Sequence, residues 1–131
     1  MPKRSSLKST EAALRKTALA YPQATEDFPW GHLAIKVKKK MFLIVSIHEG
    51  VLRATVKLPD SGRQAVQLPF AEPTGYGLGK SGWVTASFGP KDKVPLELLE
   101  DWIDESYRAI APKKLVQELD AETKRANRRE R

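Results

Sequence analysis

Between Leu33 and Leu58 the chain holds three strand-length runs separated by short polar turns, the outer two alternating apolar and polar residues. No other feature limits the fold so tightly. Leu33, Ile35 and Val37 fall on one side of an extended segment, Lys36 and Lys38 on the other. Successive side chains of a strand point to opposite faces, so this spacing describes a half-buried strand over 33–38. Met41 to His48 is apolar on both faces, as a central strand would be. Val51 to Leu58 alternates again, with Leu52, Ala54, Val56 and Leu58 inward and Arg53, Thr55 and Lys57 outward. Lys39-Lys40 and Glu49-Gly50 serve as turns, and the three strands read as an antiparallel meander.

Helical patterns flank this core. Ser5 or Ser6 can cap a first helix running to about Ala20, with Leu7, Leu14 and Ala18 on one stripe and Pro22 as its stop. Residues 22–32 read as a loop rich in proline and aromatics. Pro59 and Asp60 open a short helix to about Leu68, followed by a glycine-rich loop. Gly82 to Phe88 forms a strand, paired with a short one near Tyr76. Pro95 suits the first turn of a last long helix to about Ala111. Leu99, Trp102, Ile103, Ser106 and Ile110 are its inner stripe; Glu97, Glu100, Asp101, Asp104 and Glu105 face water. Pro112 breaks it, and Lys113 to Leu119 is one further helical piece. The fold class is therefore α+β, in the order α-β-β-β-α-β-β-α. One domain over residues 6–119 and a basic C-terminal tail over 120–131 account for the chain.

Composition narrows the function. With no cysteine, disulfides and thiolate metal sites are excluded. Met1 is followed by Pro2, Lys3 and Arg4 without an apolar run, so no signal peptide is expected. The longest apolar stretch, Met41 to Ile47, is too short to span a bilayer. The expected location is the cytoplasm, with no membrane association. The net charge of +7 is unevenly spread. Residues 1–93 carry 15 Lys/Arg and 7 Asp/Glu, residues 94–119 carry 3 and 6, and residues 120–131 carry 5 and 3. A basic body attracts polyanions, and it also keeps a small protein in solution.

No constellation reads as catalytic. Thr74 to Ser81, TGYGLGKS, ends like a phosphate-binding P-loop. Such a loop needs glycine at its first position and a helix after it, whose N-terminus adds positive potential. Here Thr74 stands first and a strand follows, so the segment reads as a glycine-rich hairpin. The two histidines, His32 and His48, lack a third ligand at metal-binding spacing. No serine lies in a nucleophile-elbow context. The acidic residues of the last helix read as a solvated face. The chain is expected to be no enzyme, to carry no cofactor or metal, and to act as a monomer.

The basic sheet face is the stronger feature. Lys36, Lys38, Arg53 and Lys57 share one face of the meander by the period-two rule, and Lys39 and Lys40 sit at its hairpin tip. Lys80, Tyr76 and Trp83 extend this surface through the glycine hairpin. Cations interleaved with aromatics suit phosphates and unpaired bases.

Five blocks in order, YPQATEDFPWG, KKKMFLIVS, ATVKLP, GYGLGKSGWV and LELLEDWIDESYRAIAPKKL, resemble the MmcQ/YjbR family over about residues 7–119. The resemblance implies an α-β(3)-α-β(2)-α fold, similar to CyaY and to secretion chaperones. It also implies DNA binding through a "double wing" of β-hairpins. On this chain the wings would be the hairpins around Lys38-Lys39-Lys40 and around Gly77-Leu78-Gly79-Lys80. Many family members carry Asn-Lys-Arg-His-Trp before the late strand. Here Gly79-Lys80-Ser81-Gly82-Trp83 keeps Lys80 and Trp83 but puts Ser81 and Gly82 in place of the Arg and His. No catalytic residue comes with the resemblance.

The sequence thus predicts a non-enzymatic binding module with DNA as its expected partner. Lys36, Lys38, Lys39, Lys40, Arg53, Lys57 and Lys80 would meet phosphates, and Trp83 and Tyr76 would stack. The alternatives are a protein-interaction adaptor, as the chaperone-like fold allows, and a small-ligand pocket lined by Phe28, Trp30 and Trp83.

Overall fold

The computed structural model describes residues 7–28, 32–75 and 81–129. The elements in chain order are α1 (Leu7–Leu19), β1 (Thr25–Asp27), β2 (Leu33–Val37), β3 (Lys40–His48) and β4 (Val51–Lys57). They continue with α2 (Gly62–Ala65), β5 (Ala71–Pro73), β6 (Trp83–Phe88), α3 (Leu96–Ile110) and α4 (Lys113–Arg129). The strands make one six-stranded antiparallel sheet in the order β1-β2-β3-β4-β6-β5. The α+β class read from the sequence is the one observed.

The period-two pattern decides which face of the sheet is buried. Leu33, Ile35 and Val37 of β2, Leu43 and Val45 of β3, and Leu52, Ala54 and Val56 of β4 all turn inward. Val84, Ala86 and Phe88 of β6 continue the same layer. The apolar stripes of α1 (Leu14, Ala18) and α3 (Leu99, Trp102, Ile103, Tyr107) close over it. Those residues recur at helical spacing, so each helix presents one continuous stripe to the sheet. Tyr21, Phe42 and Tyr107 form an aromatic cluster at one end of this core, with Phe42 edge-on to both tyrosines. Burial and the carboxylate of Asp104, which accepts from its hydroxyl at 2.9 Å, push the Tyr21 phenol well above its ordinary range.

Four elements differ from expectation. Residues 22–32, read as loop, contain β1, which extends the sheet beyond β2. Its backbone pairs with β2, and two ion pairs flank it, Arg15 with Glu26 and Lys36 with Asp27, while no apolar alternation marks it. The early helix after Pro59 is a single turn, ending at Ala65 rather than Leu68. The partner of β6 is Ala71–Pro73, ahead of Tyr76. Helix α4 runs unbroken through Arg129, so the expected boundary at 119/120 falls inside it. Its first turns are anchored by Leu115, which is buried, and by Leu119. The capping role of Ser5 or Ser6 lies outside the described residues. Among the described residues, no helix is long and apolar enough to cross a membrane.

Candidate nucleic-acid interface

The β2–β3 turn is made by Lys38 and Lys39, with φ of 51° and 70°. Two left-handed residues between antiparallel strands are the signature of the hairpin turn whose twist matches the sheet. The turn therefore sits one residue earlier than Lys39-Lys40. Lys40 opens β3, opposite Val37, on the helix-covered side of the sheet. Lys38 lies in the turn and off the strand face that period two assigns it. Both turn lysines are exposed. Lysine is an unfavourable residue at positive φ, where its Cβ crowds the backbone, so local preference does not explain this pair.

A bulge lies just inside the turn. Ile35 pairs with Leu43 and Lys36 with Met41, leaving Phe42 unmatched on β3. Phe42 and Leu43 are both buried, so the bulge turns two consecutive apolar residues of this strand inward. The fully buried Ser106 of α3 bridges β3 to β4 one position beyond their last paired residues, Leu43 and Val56. Its hydroxyl donates to the Phe42 carbonyl at 2.6 Å and accepts from the Lys57 amide at 2.9 Å. A helix residue thus fixes the hairpin end of the sheet from below.

On the other face, no described residue of β3, β4 or β6 is buried: Ile44, Ser46, Arg53, Thr55, Lys57, Trp83, Thr85 and Ser87 all reach solvent. At the hairpin end a row runs Lys36–Met41 across β2 and β3, then Lys57–Trp83 across β4 and β6. Across the middle of the face, the hydroxyls of Thr55, Thr85 and Thr74 join in a chain with 3.0 Å links. Lys36, Lys38, Lys39, Lys57 and Trp83 are therefore brought to one end of the sheet. Arg53 shares the outer face with Lys57 but lies four residues along β4, roughly 13 Å away. Lys36 is partly neutralised, since its ammonium donates to Asp27 at 2.8 Å. That hydrogen bond, with a second from the Phe28 amide, holds the Asp27 carboxyl below its ordinary range. Tyr76 and Lys80 lie outside the described residues, as does the second expected wing at Gly77–Lys80.

The small-ligand pocket expected from Phe28, Trp30 and Trp83 does not assemble. Phe28 is 59% exposed and follows β1 at one edge of the sheet, with β2, β3 and β4 between it and Trp83 on β6. Trp30 lies outside the described residues. Two acidic residues assigned to water turn out to be internal acceptors. Asp104 takes the Tyr21 hydroxyl and the Arg108 guanidinium. Glu105 takes the amides of Asp60 and Ser61 and the Ser61 hydroxyl, at 2.6 to 3.0 Å, and so ties α2 to α3. No sequence pattern marks the Tyr21 and Ser61 contacts, because those partners are more than forty residues away. His48 is exposed beside Glu49, and the described residues hold no group of three metal-ligating side chains.

Fold and site together define a class: an α+β protein whose antiparallel sheet is covered on one face and carries lysines at one end of the other. The YjbR family model matches residues 19–109, and the chain belongs to that family. Its fold is similar to the crystal structure of Deinococcus radiodurans protein DR2400, described as having the DUF419 domain. That likeness has a TM-score of 0.60 and 28% identity, covering 82% of this chain and 80% of that one. No curated protein matches the chain.

Proposed function

We propose that this YjbR-family chain is a nucleic-acid-binding module that grips phosphates without reading bases. The observation that carries the reading is the gathering of Lys36, Lys38, Lys39 and Lys57 with Trp83 at one end of an open sheet face. Among the described residues Lys38, Lys39 and Lys57 have no acidic partner, so their charge is available to an anion. A helix that reads bases in a major groove must lay its exposed face between the phosphate backbones. The outer surface of α3 carries Glu97, Glu100 and Asp101, which a phosphate backbone would repel.

Affinity then comes from counterion release. With about four to six phosphates neutralised, log K should fall against log salt with a slope of roughly −4 to −5. Fluorescence anisotropy with a labelled duplex across a salt series measures it. Replacing Lys38-Lys39 by Asn-Gly removes two cations from a turn that Asn-Gly itself favours. That variant should flatten the slope by about two units. Absence of binding at low salt, or an unchanged slope in the variant, would remove the hairpin from the interface.

A further inference from the structure

Beside Trp83 the sheet ends in a cleft of about 430 Å3. Its walls are Leu58, Pro59, Val66, Pro73 and Val84, and its polar groups are Arg63 and Ser81. The floor is rigid. The Leu58 amide donates to the Gly82 carbonyl at 2.7 Å, the Gly62 amide to the Leu58 carbonyl at 3.0 Å, and the Thr74 amide to the Trp83 carbonyl at 3.0 Å. Glu105 anchors the far side by holding Asp60 and Ser61. Gly82 has φ of +92°, a conformation that favours glycine, where the chain turns against Leu58 and Pro59.

Three properties select an occupant. The cleft's volume lies in the range of small-molecule sites, ample for a single base, and its walls are mostly apolar. Its one cation, Arg63, is exposed and has no acidic partner among the described residues. Trp83 belongs to both surfaces: it lines the cleft and stands directly across from Lys57 in the phosphate-facing row. We infer that this cleft takes one unpaired nucleobase of a strand whose phosphates lie along the lysine row, so that the chain prefers single-stranded nucleic acid to duplex. The apolar face of a base would stack against Trp83 and the prolines Pro59 and Pro73, while Arg63 meets the adjoining phosphate. Inside a duplex the base is paired and stacked and cannot enter. Aromatic stacking is tolerant of base identity, so the preference is for strand state and not for sequence. This inference rests on the phosphate-binding reading above.

The test compares two labelled DNAs of equal length by anisotropy, a blunt duplex and a shorter duplex extended by a single-stranded tail. Equal length gives the blunt duplex the greater charge, so electrostatics alone favours it. The tailed DNA should bind roughly 5- to 10-fold tighter. Arg63→Ala and Val66→Trp, the second filling the cleft, should each remove most of that preference and leave blunt-duplex binding within about two-fold. Arg63 is exposed, so its variant decides the matter if Val66→Trp fails to fold by circular dichroism. Equal binding of the two DNAs, or a preference that survives the folded variants, overturns the cleft and leaves the phosphate reading standing. Failure of both DNAs to bind overturns both.

Discussion

Ser106 shows how one buried side chain fixes the backbone beneath the lysine row. Its hydroxyl stands between the Phe42 carbonyl of β3 and the Lys57 amide of β4, one position beyond the last paired residues, Leu43 and Val56. Ser106→Ala keeps the volume nearly constant but leaves a carbonyl and an amide unpaired in a dry environment. The expected cost is about 1–3 kcal/mol in urea denaturation, with the Lys57 amide exchanging faster. Asp27 acts on the site by charge. Its pKa lies below the ordinary value of 3.8, first through the Lys36 hydrogen bond and then through the Phe28 amide. A depressed carboxylate contributes stability that is complete above its unfolded pKa and is lost as pH falls through the folded value. Carbon-detected NMR should therefore place its titration midpoint under 3.8. Asp27→Asn keeps the shape and frees Lys36, so the salt slope for DNA should steepen by about one unit.

Among the elements, the β2–β3 hairpin most clearly sets charge against conformation. Its two central residues are left-handed lysines, where asparagine and glycine are preferred. The Asn-Gly variant should raise stability by roughly 0.5–1 kcal/mol while it weakens DNA binding. A variant that loses both stability and binding would show that these lysines make structural contacts. Helix α3 does two tasks with adjacent residues: Ser106 faces the sheet and Glu105 holds the start of α2. Its inner stripe was legible from spacing alone. The contacts of Asp104 and Glu105 were not, because a carboxylate on a solvated face and one that caps a distant turn occupy the same kind of sequence position. Strand β1 was illegible for a related reason, since Thr25–Asp27 has no apolar alternation and pairs with β2 through its backbone, flanked by ion pairs to Arg15 and Lys36.

At the scale of the whole molecule, the described side chains that hold α4 to the body begin with Leu115 and Leu119. Past Leu119, Asp120 ties it to the body through Arg108, an exposed bridge at 2.8 Å. Removing residues 120–131 should therefore cost no more than about 1 kcal/mol by thermal unfolding. A larger loss would mean that the helix end docks onto the body. The α+β class, the meander, the two long packing helices and the inward-facing residues followed from the sequence itself. Apolar spacing and turn residues are local signals, and burial of the apolar face is the main driving force of folding. The position of each lysine relative to the others was a tertiary matter. Period two carried Lys36, Arg53 and Lys57 to the outer face, but the turn at Lys38-Lys39 and the bulge at Phe42 reset the phase, sending Lys40 to the opposite side. Antiparallel pairing then put Lys57 beside Trp83, and the closure of α2 against β6 made a cleft of residues that are distant in the chain. A register is a relation between strands, and a cleft is a relation between elements; neither is written in the neighbours of any one residue.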